Sequence, residues 1–385
     1  MRSINRIEIR NLTILLGSTL TILAATIIAP SLPGMSAEFQ DLPNAEFLSR
    51  LALTIPALIV SLSAPFAGLL LDHWGRKPVL ILSLTLYGLA GTSGFVLDSL
   101  TGILVSRALL GLAVAGIMSG FITLITDYFT GDRLNQFMGY QGASIALGGM
   151  VFLLVAGYLA DIGWRFPFLV HLFAFVILLG VLFTIDEPVI KKQSRQQDMA
   201  HRKTPFPLKT ISLIYATTFI GMLILFIFPV QLPFYLVLQF SASGTQVGMA
   251  LALQSLASVI SALSYRKLKA RLSFQIIFGL VFLALGINHL VVALAPTYSL
   301  LIVGLLIGGL GFGVFPPNLN VWLAKIVPQA SRGRAIGGLT SFTFFGQFFT
   351  PILTQPLVQN IGLAGTFGVT AGVSFLLAIA YIFKK

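Results

Sequence analysis

The sequence predicts an all-α membrane protein with twelve transmembrane helices in two pseudo-symmetric six-helix bundles. Three observations carry that expectation. Charged residues are 9% of the 385 residues, against roughly 25% in a soluble domain. Hydrophobic residues reach 56%, and the 32 phenylalanines are spread over the whole length. A soluble fold needs a charged, hydrated exterior that such a chain cannot supply. Finally, apolar runs recur between short polar breaks, each near the ~20 residues needed to cross a bilayer core of about 30 Å.

Taken in order, the first run is 11–33, which follows Arg2, Arg6 and Arg10 and closes on Pro30, Leu32 and Pro33. It exceeds the apolar core of a cleaved signal and lacks a convincing cleavage site, so it reads as a retained helix. The second run, 47–71, lies between Glu46 and Asp72, and the third, 79–97, lies between Pro78 and Asp98. The fourth, 100–127, holds Arg107 and ends on Asp127. The fifth, 134–158, follows Arg133, and the sixth, 166–185, is bounded by Arg165 and Asp186. A polar stretch with Lys191, Lys192, Arg195, Arg202 and Lys203 then interrupts the pattern. The second half repeats it over 210–237, 244–264, 274–294, 298–325, 333–357 and 362–383. The expected domains are therefore 1–186, a cytoplasmic basic linker at 187–209, and 210–385.

Charge sets the expected orientation. With the N-terminus inside, all 24 lysines and arginines fall on the inner side except Arg50, Arg107 and Arg165. That asymmetry places both termini in the cytoplasm and the chain, multi-pass, in the inner membrane of a prokaryote. The net charge of +12 then faces anionic lipid headgroups. The halves also resemble each other: Arg107–Gly111 aligns with Gly304–Gly308, and Arg133–Gly139 with Arg332–Gly338. Several classes are excluded. There is no cysteine for disulfides or thiolate metal sites, and the four histidines lack ligand spacing. No basic stripe interleaved with aromatics points to nucleic acid. No GxxxxGK[ST] loop points to ATP. No convergent His–carboxylate set marks an enzyme.

The most specific motif is Gly68-Leu-Leu-Leu-Asp72-His-Trp-Gly75-Arg76-Lys77-Pro78, between the second and third spans. Gly68 allows close helix approach, Gly75 allows a tight turn that Pro78 helps end, and Arg76 and Lys77 hold the loop at the inner face. Asp72 can cap or pair with a basic group at a helix end. This motif resembles the G-x-L-a-D-R-x-G-R-[RK] loop of the major facilitator superfamily. The resemblance implies a conformational latch made by Gly68, Asp72, Gly75, Arg76 and Lys77, with Asp127 joining the network through Arg76.

Two further motifs resemble the drug/proton antiporter branch of that family. Arg107 and Gly111 match the R-x-x-x-G of span 4, and Leu23 to Pro33 resembles the l-D-x-T-x-x-x-x-A-L-P of span 1. Ala24 stands where that pattern has its membrane acid. Gly148, Gly149 and Gly157 match the span-5 glycines without the proline, and fit a hinge or packing face equally. No acid lies near the centre of any span; His171 and His289 lie within spans and titrate in the range a proton carrier needs, but both sit towards the outer ends, where a helix-interface histidine is the alternative. The family architecture would line a central path with spans 1, 4, 7 and 10, assisted by 2, 5, 8 and 11. Substrate or coupling candidates there are Thr26, Arg107, Gln231, Tyr235, Gln254, Asn318, Asn320 and Gln347. Arg107 alternatively pins backbone carbonyls.

The resemblance thus implies a monomeric carrier, without cofactor, metal or nucleic-acid partner, in contact with membrane lipid. It would export a small lipophilic or amphipathic solute by alternating access; protons or another ion are candidate coupling partners, and without the acid at position 24 the energy source is left open. Two alternatives stay open: a facilitator or uptake carrier for a small organic anion, not proton-coupled through a membrane carboxylate and with Arg107 as counter-charge, and a non-transporting sensor or partner subunit.

Overall fold

The computed structural model describes residues 6–187, 208–328 and 332–383, and among them no strand forms. The linker expected at 187–209 lies outside them from 188 to 207, as do Arg2, Lys384 and Lys385. Helices α1 (Arg6–Thr26), α2 (Ala45–Trp74), α3 (Arg76–Thr92), α4 (Leu100–Tyr128), α5 (Gly131–Ile162) and α6 (Phe173–Thr184) make the first six spans. Span 1 continues past α1 through a 3-10 turn at Pro30 into a short helix, Leu32–Glu38, and a 3-10 stretch, Phe166–Leu172, leads into α6. Helices α7 (Leu208–Phe240), α8 (Gly244–Lys269), α9 (Phe274–Leu294) and α10 (Tyr298–Ile326) follow. The last helical run, Arg332–Ile382, is broken at Gly362 (φ 71°, ψ 179°) into α11 (332–361) and α12 (363–382). Among the described residues eleven helical segments are long and apolar enough to cross a membrane, and the last of them, broken at Gly362, corresponds to two of the twelve expected spans.

Local sequence explains several helix starts. Ser99, Ser273 and Thr297 each accept the backbone N–H three residues on, which caps α4, α9 and α10. Positive φ at Gly75 (91°) and Gly131 (58°) allows α3 and α5 to begin close behind the helices that precede them.

The described residues fall into two compact units. The first comprises residues up to 187 with 227–256 and 351–355; the second comprises 208–226, 257–350 and 356–383. In the first, α2 lies so close to α4 that a Cβ on Gly111 would sit 2.6 Å from the carbonyl oxygen of Pro56. Gly148 and Gly149 of α5 pack on Thr19 and Ile22 of α1 in the same manner. Tyr87 Oη ties α3 to α1 by donating to the Leu20 carbonyl at 2.8 Å. In the second unit, Phe278, Phe282, Phe315, Trp322 and Tyr381 make an aromatic core linking α9, α10 and α12. Small residues at helix crossings are what lipid-embedded packing requires, because burial from water does not drive it. Leucines such as Leu69, Leu82, Leu263 and Leu376 stand exposed on helix flanks, where lipid is their solvent.

Candidate functional site

The motif between α2 and α3 shrinks to one residue, Gly75, so Pro78 sits in the first turn of α3. The helix has no capping side chain at Gly75. Instead, both oxygens of the Glu187 carboxylate accept its first N–H groups, from Arg76 at 2.6 Å and Lys77 at 2.8 Å. A carboxylate there also meets the positive end of the helix dipole. The Arg76 side chain is buried, donating from Nε to Asp127 at 2.9 Å and from Nη1 to the Leu71 carbonyl at 3.0 Å. Lys77 Nζ donates to the Leu182 carbonyl at 2.8 Å. Arg76 and Asp127 meet as the motif implies. Asp72 is peripheral: it is 73% exposed and 3.7 Å from Arg76, four residues further along the chain. Gly68 departs from expectation, since nothing lies within 4 Å of where its Cβ would be, and it permits no close helix approach here.

Arg107 is fully buried within the first unit. Its Nη2 donates to the Ala24 carbonyl at 2.6 Å, its Nε to the Ala52 carbonyl at 3.1 Å, and its Nη1 lies 3.3 Å from His171 Nε2. A guanidinium only donates, so His171 Nε2 accepts and its Nδ1–H donates to the Phe168 carbonyl at 3.0 Å. That assignment makes His171 neutral. Arg107 therefore pins α1, α2 and the entry to α6 around α4, the structural alternative read from the sequence. Its contact on α1 is the backbone of Ala24, the position of the missing acid.

The other path candidates are dispersed. Thr26 Oγ1 donates to the Ile22 carbonyl within its own helix. Gln231, fully buried, donates to Thr354 Oγ1 at 2.8 Å, and Tyr235 and Gln254 are buried on α7 and α8. In the second unit, Asn318 bridges Tyr265 and the Phe274 carbonyl. Asn320 is exposed and bonds back to the Pro316 carbonyl, while Gln347 keeps a buried, unpartnered Oε1. Gly157 meets the backbone of Gly244 and Gly248, which makes it a packing residue.

Two groups escaped the sequence reading. Arg50, counted there only as a topological charge, is fully buried: it pairs with Glu46, donates to Gln355 Oε1 at 3.1 Å and lies 4.5 Å above the Phe234 ring. Asp161 accepts the N–H groups of Gly244 and Thr245 and the Thr245 hydroxyl at the start of α8. Proximity across more than eighty residues leaves no local pattern to read.

A family model described as the Major Facilitator Superfamily matches residues 14–236 and 214–385. The chain is 25% identical over 388 aligned residues to Multidrug resistance protein 1 of Bacillus subtilis, covering 96% of each chain. It is likewise 25% identical to the Bacillibactin exporter of the same organism, covering 88% of this chain and 87% of that one. Among solved structures, a D-xylose-proton symporter superposes with a TM-score of 0.81 at 15% identity, over 98% of this chain and 97% of the other. That likeness concerns the fold.

Proposed function

The chain belongs to the Major Facilitator Superfamily, and from that membership we propose that it is a secondary transporter exporting a small lipophilic or amphipathic solute by alternating access. One observation carries this reading: the match to the protein named Multidrug resistance protein 1 runs over 96% of both chains. The asymmetric placement of lysine and arginine supports a prokaryotic inner-membrane location with both termini in the cytoplasm. On that orientation, the Gly75 turn, Arg76, Asp127 and Glu187 form a cytoplasmic latch. Their contacts tie the ends of α2, α3 and α4 to the segment after α6, so separating those ends must break charge-assisted hydrogen bonds.

Arg107 serves as a brace. Each of its three nitrogens is engaged with another element and the side chain is fully buried, which supports a structural role over a solute-binding one. That arrangement counts against the organic-anion reading, which placed its counter-charge on Arg107. Ala24 stands where the antiporter pattern has its membrane acid, so that position supplies no carboxylate for proton coupling.

Dye accumulation tests the proposal. Cells expressing the chain, in a strain without other dye exporters, should hold severalfold less of a lipophilic dye than cells expressing an Arg76→Ala variant at equal membrane abundance. Equal accumulation in the two, and in cells without the protein, for a panel of lipophilic and amphipathic compounds would sink the export reading.

A further inference from the structure

Within the first unit, residues 227–256 and 351–355 pack with the N-terminal segment of the chain. Two clusters make that join. At the first, α8 caps itself in part: Gln246 N–H donates to Ser243 Oγ, and Ser243 N–H donates to Gln246 Oε1. The next two orphan donors, on Gly244 and Thr245, go to Asp161 at the end of α5. Behind this, Gly157, Gly244 and Gly248 bring the two backbones together with no side chain between them. At the second, Arg50 of α2 reaches Gln355 of α11 and the face of Phe234 on α7, and Gln231 of α7 donates to Thr354 of α11.

All five helix ends involved lie on the side opposite the basic loops. We propose that Arg50 and Asp161 are positioning residues of the transport cycle, forming two clasps that hold the outer mouth closed and let it open reversibly. The inference rests on the transport reading and on its orientation.

Reversibility is the physical argument. A buried charge stripped of every partner is trapped at high energy, and such an arrangement would not serve as a gate. Each clasp avoids this. Arg50 keeps Glu46, on the same helix, as counter-ion when Gln355 and Phe234 move away, and Glu46 is 49% exposed. Asp161 lies at the exposed end of α5, so water replaces the α8 donors when they leave. The closed state is also incompletely satisfied, because Arg50 Nε and Gln231 Oε1 are buried without hydrogen-bond partners. Opening therefore lets water reach these atoms, and that hydration offsets part of the cost of breaking the clasp hydrogen bonds.

The absence of cysteine allows a direct test. Thr54, fully buried one turn beyond Arg50 on the same helix face, is replaced by cysteine as a nearly isosteric reporter. Ser374→Cys, fully buried in the second unit, serves as a folding control. A membrane-impermeant maleimide is applied to right-side-out and to everted vesicles. Adding Asp161→Asn or Arg50→Gln should raise labelling of the Thr54→Cys reporter from the outside by about ten-fold, as expected for a moderate shift of a closed–open equilibrium. The Ser374→Cys control should stay unlabelled, and Asp161→Glu should return labelling to within about two-fold of the parent. Unchanged labelling in both variants overturns the proposal. So does an equal rise at the Ser374→Cys control, which reports unfolding, or a rise confined to everted vesicles. Solute flux through the unmodified protein is measured in parallel. A lack of flux with clasp-dependent labelling removes the transport reading, and with it the clasps' part in a transport cycle, while leaving them as contacts that close the outer side.

Discussion

A guanidinium inside a membrane protein must find acceptors for its N–H groups, and each of the three nitrogens of Arg107 finds one, on three other elements. None of these acceptors is an anion, so the charge is solvated by dipoles, two of them backbone carbonyls. Removing the side chain strips buried acceptors at roughly 1–3 kcal/mol each, and Arg107→Ala should lower thermal stability without changing ligand affinity. Ala24→Asp supplies a sharper measurement. A lone carboxylate deep in a span costs about 2.5–3.5 kcal/mol on insertion scales, but Arg107 already donates to the Ala24 carbonyl. In a double-mutant cycle of thermal stabilities, Ala24→Asp should cost at least about 1 kcal/mol less with Arg107 present than in the Arg107→Ala background. Additive effects would show that Arg107 cannot reach a side chain at that position. Arg107 was legible in the sequence because a charge within an apolar run is rare. Its partners were not, since carbonyls at Ala24 and Ala52 carry no mark of residue type. Arg50 failed to stand out for a related reason: near a span end, a cation reads as topology.

At the scale of one element, the start of α3 shows how a family motif is realised. The helix lacks its own capping side chain, and Glu187, 111 residues away from Arg76, supplies one. A cap plus a charge at a helix N-terminus is worth about 1 kcal/mol, more when partly buried. Glu187→Ala and Asp127→Asn should therefore each lower the melting temperature in detergent. Asp72→Asn should do much less, since an exposed pair at 3.7 Å contributes about 0–1 kcal/mol. If Asp72→Asn proved the most damaging of the three, this division of roles would be wrong. The Arg76–Asp127 pair followed from the resemblance. Glu187 was passed over because it opens a polar linker, where a carboxylate is ordinary. Gly68 failed in the opposite sense: spacing marks a small residue, but only the packing shows that open space lies beside it.

For the molecule as a whole, the spans were the most legible feature, because lipid imposes length and polarity on each of them independently of its neighbours. The count depends on one residue. The final helical run has 51 residues, and at about 1.5 Å per residue it is more than twice the thickness of a bilayer core. It must therefore cross twice, and Gly362, at φ 71°, is where the helix breaks. A residue with a Cβ rarely adopts that conformation. Were the run a single span, the total would be eleven and the termini would lie on opposite sides. With twelve, Arg2, Arg6 and Arg10 share a side with Lys384 and Lys385, as the charge rule requires. Reporter fusions separate the two arrangements. A green fluorescent protein joined after Lys385 should be bright and an alkaline phosphatase there inactive, because the fluorophore matures inside and the phosphatase works outside. A phosphatase inserted at Gly362 should be active. An active phosphatase at the C-terminus together with an inactive one at Gly362 would invert this end of the topology, and with it the assignment of the Arg50 and Asp161 clasps to the outer face.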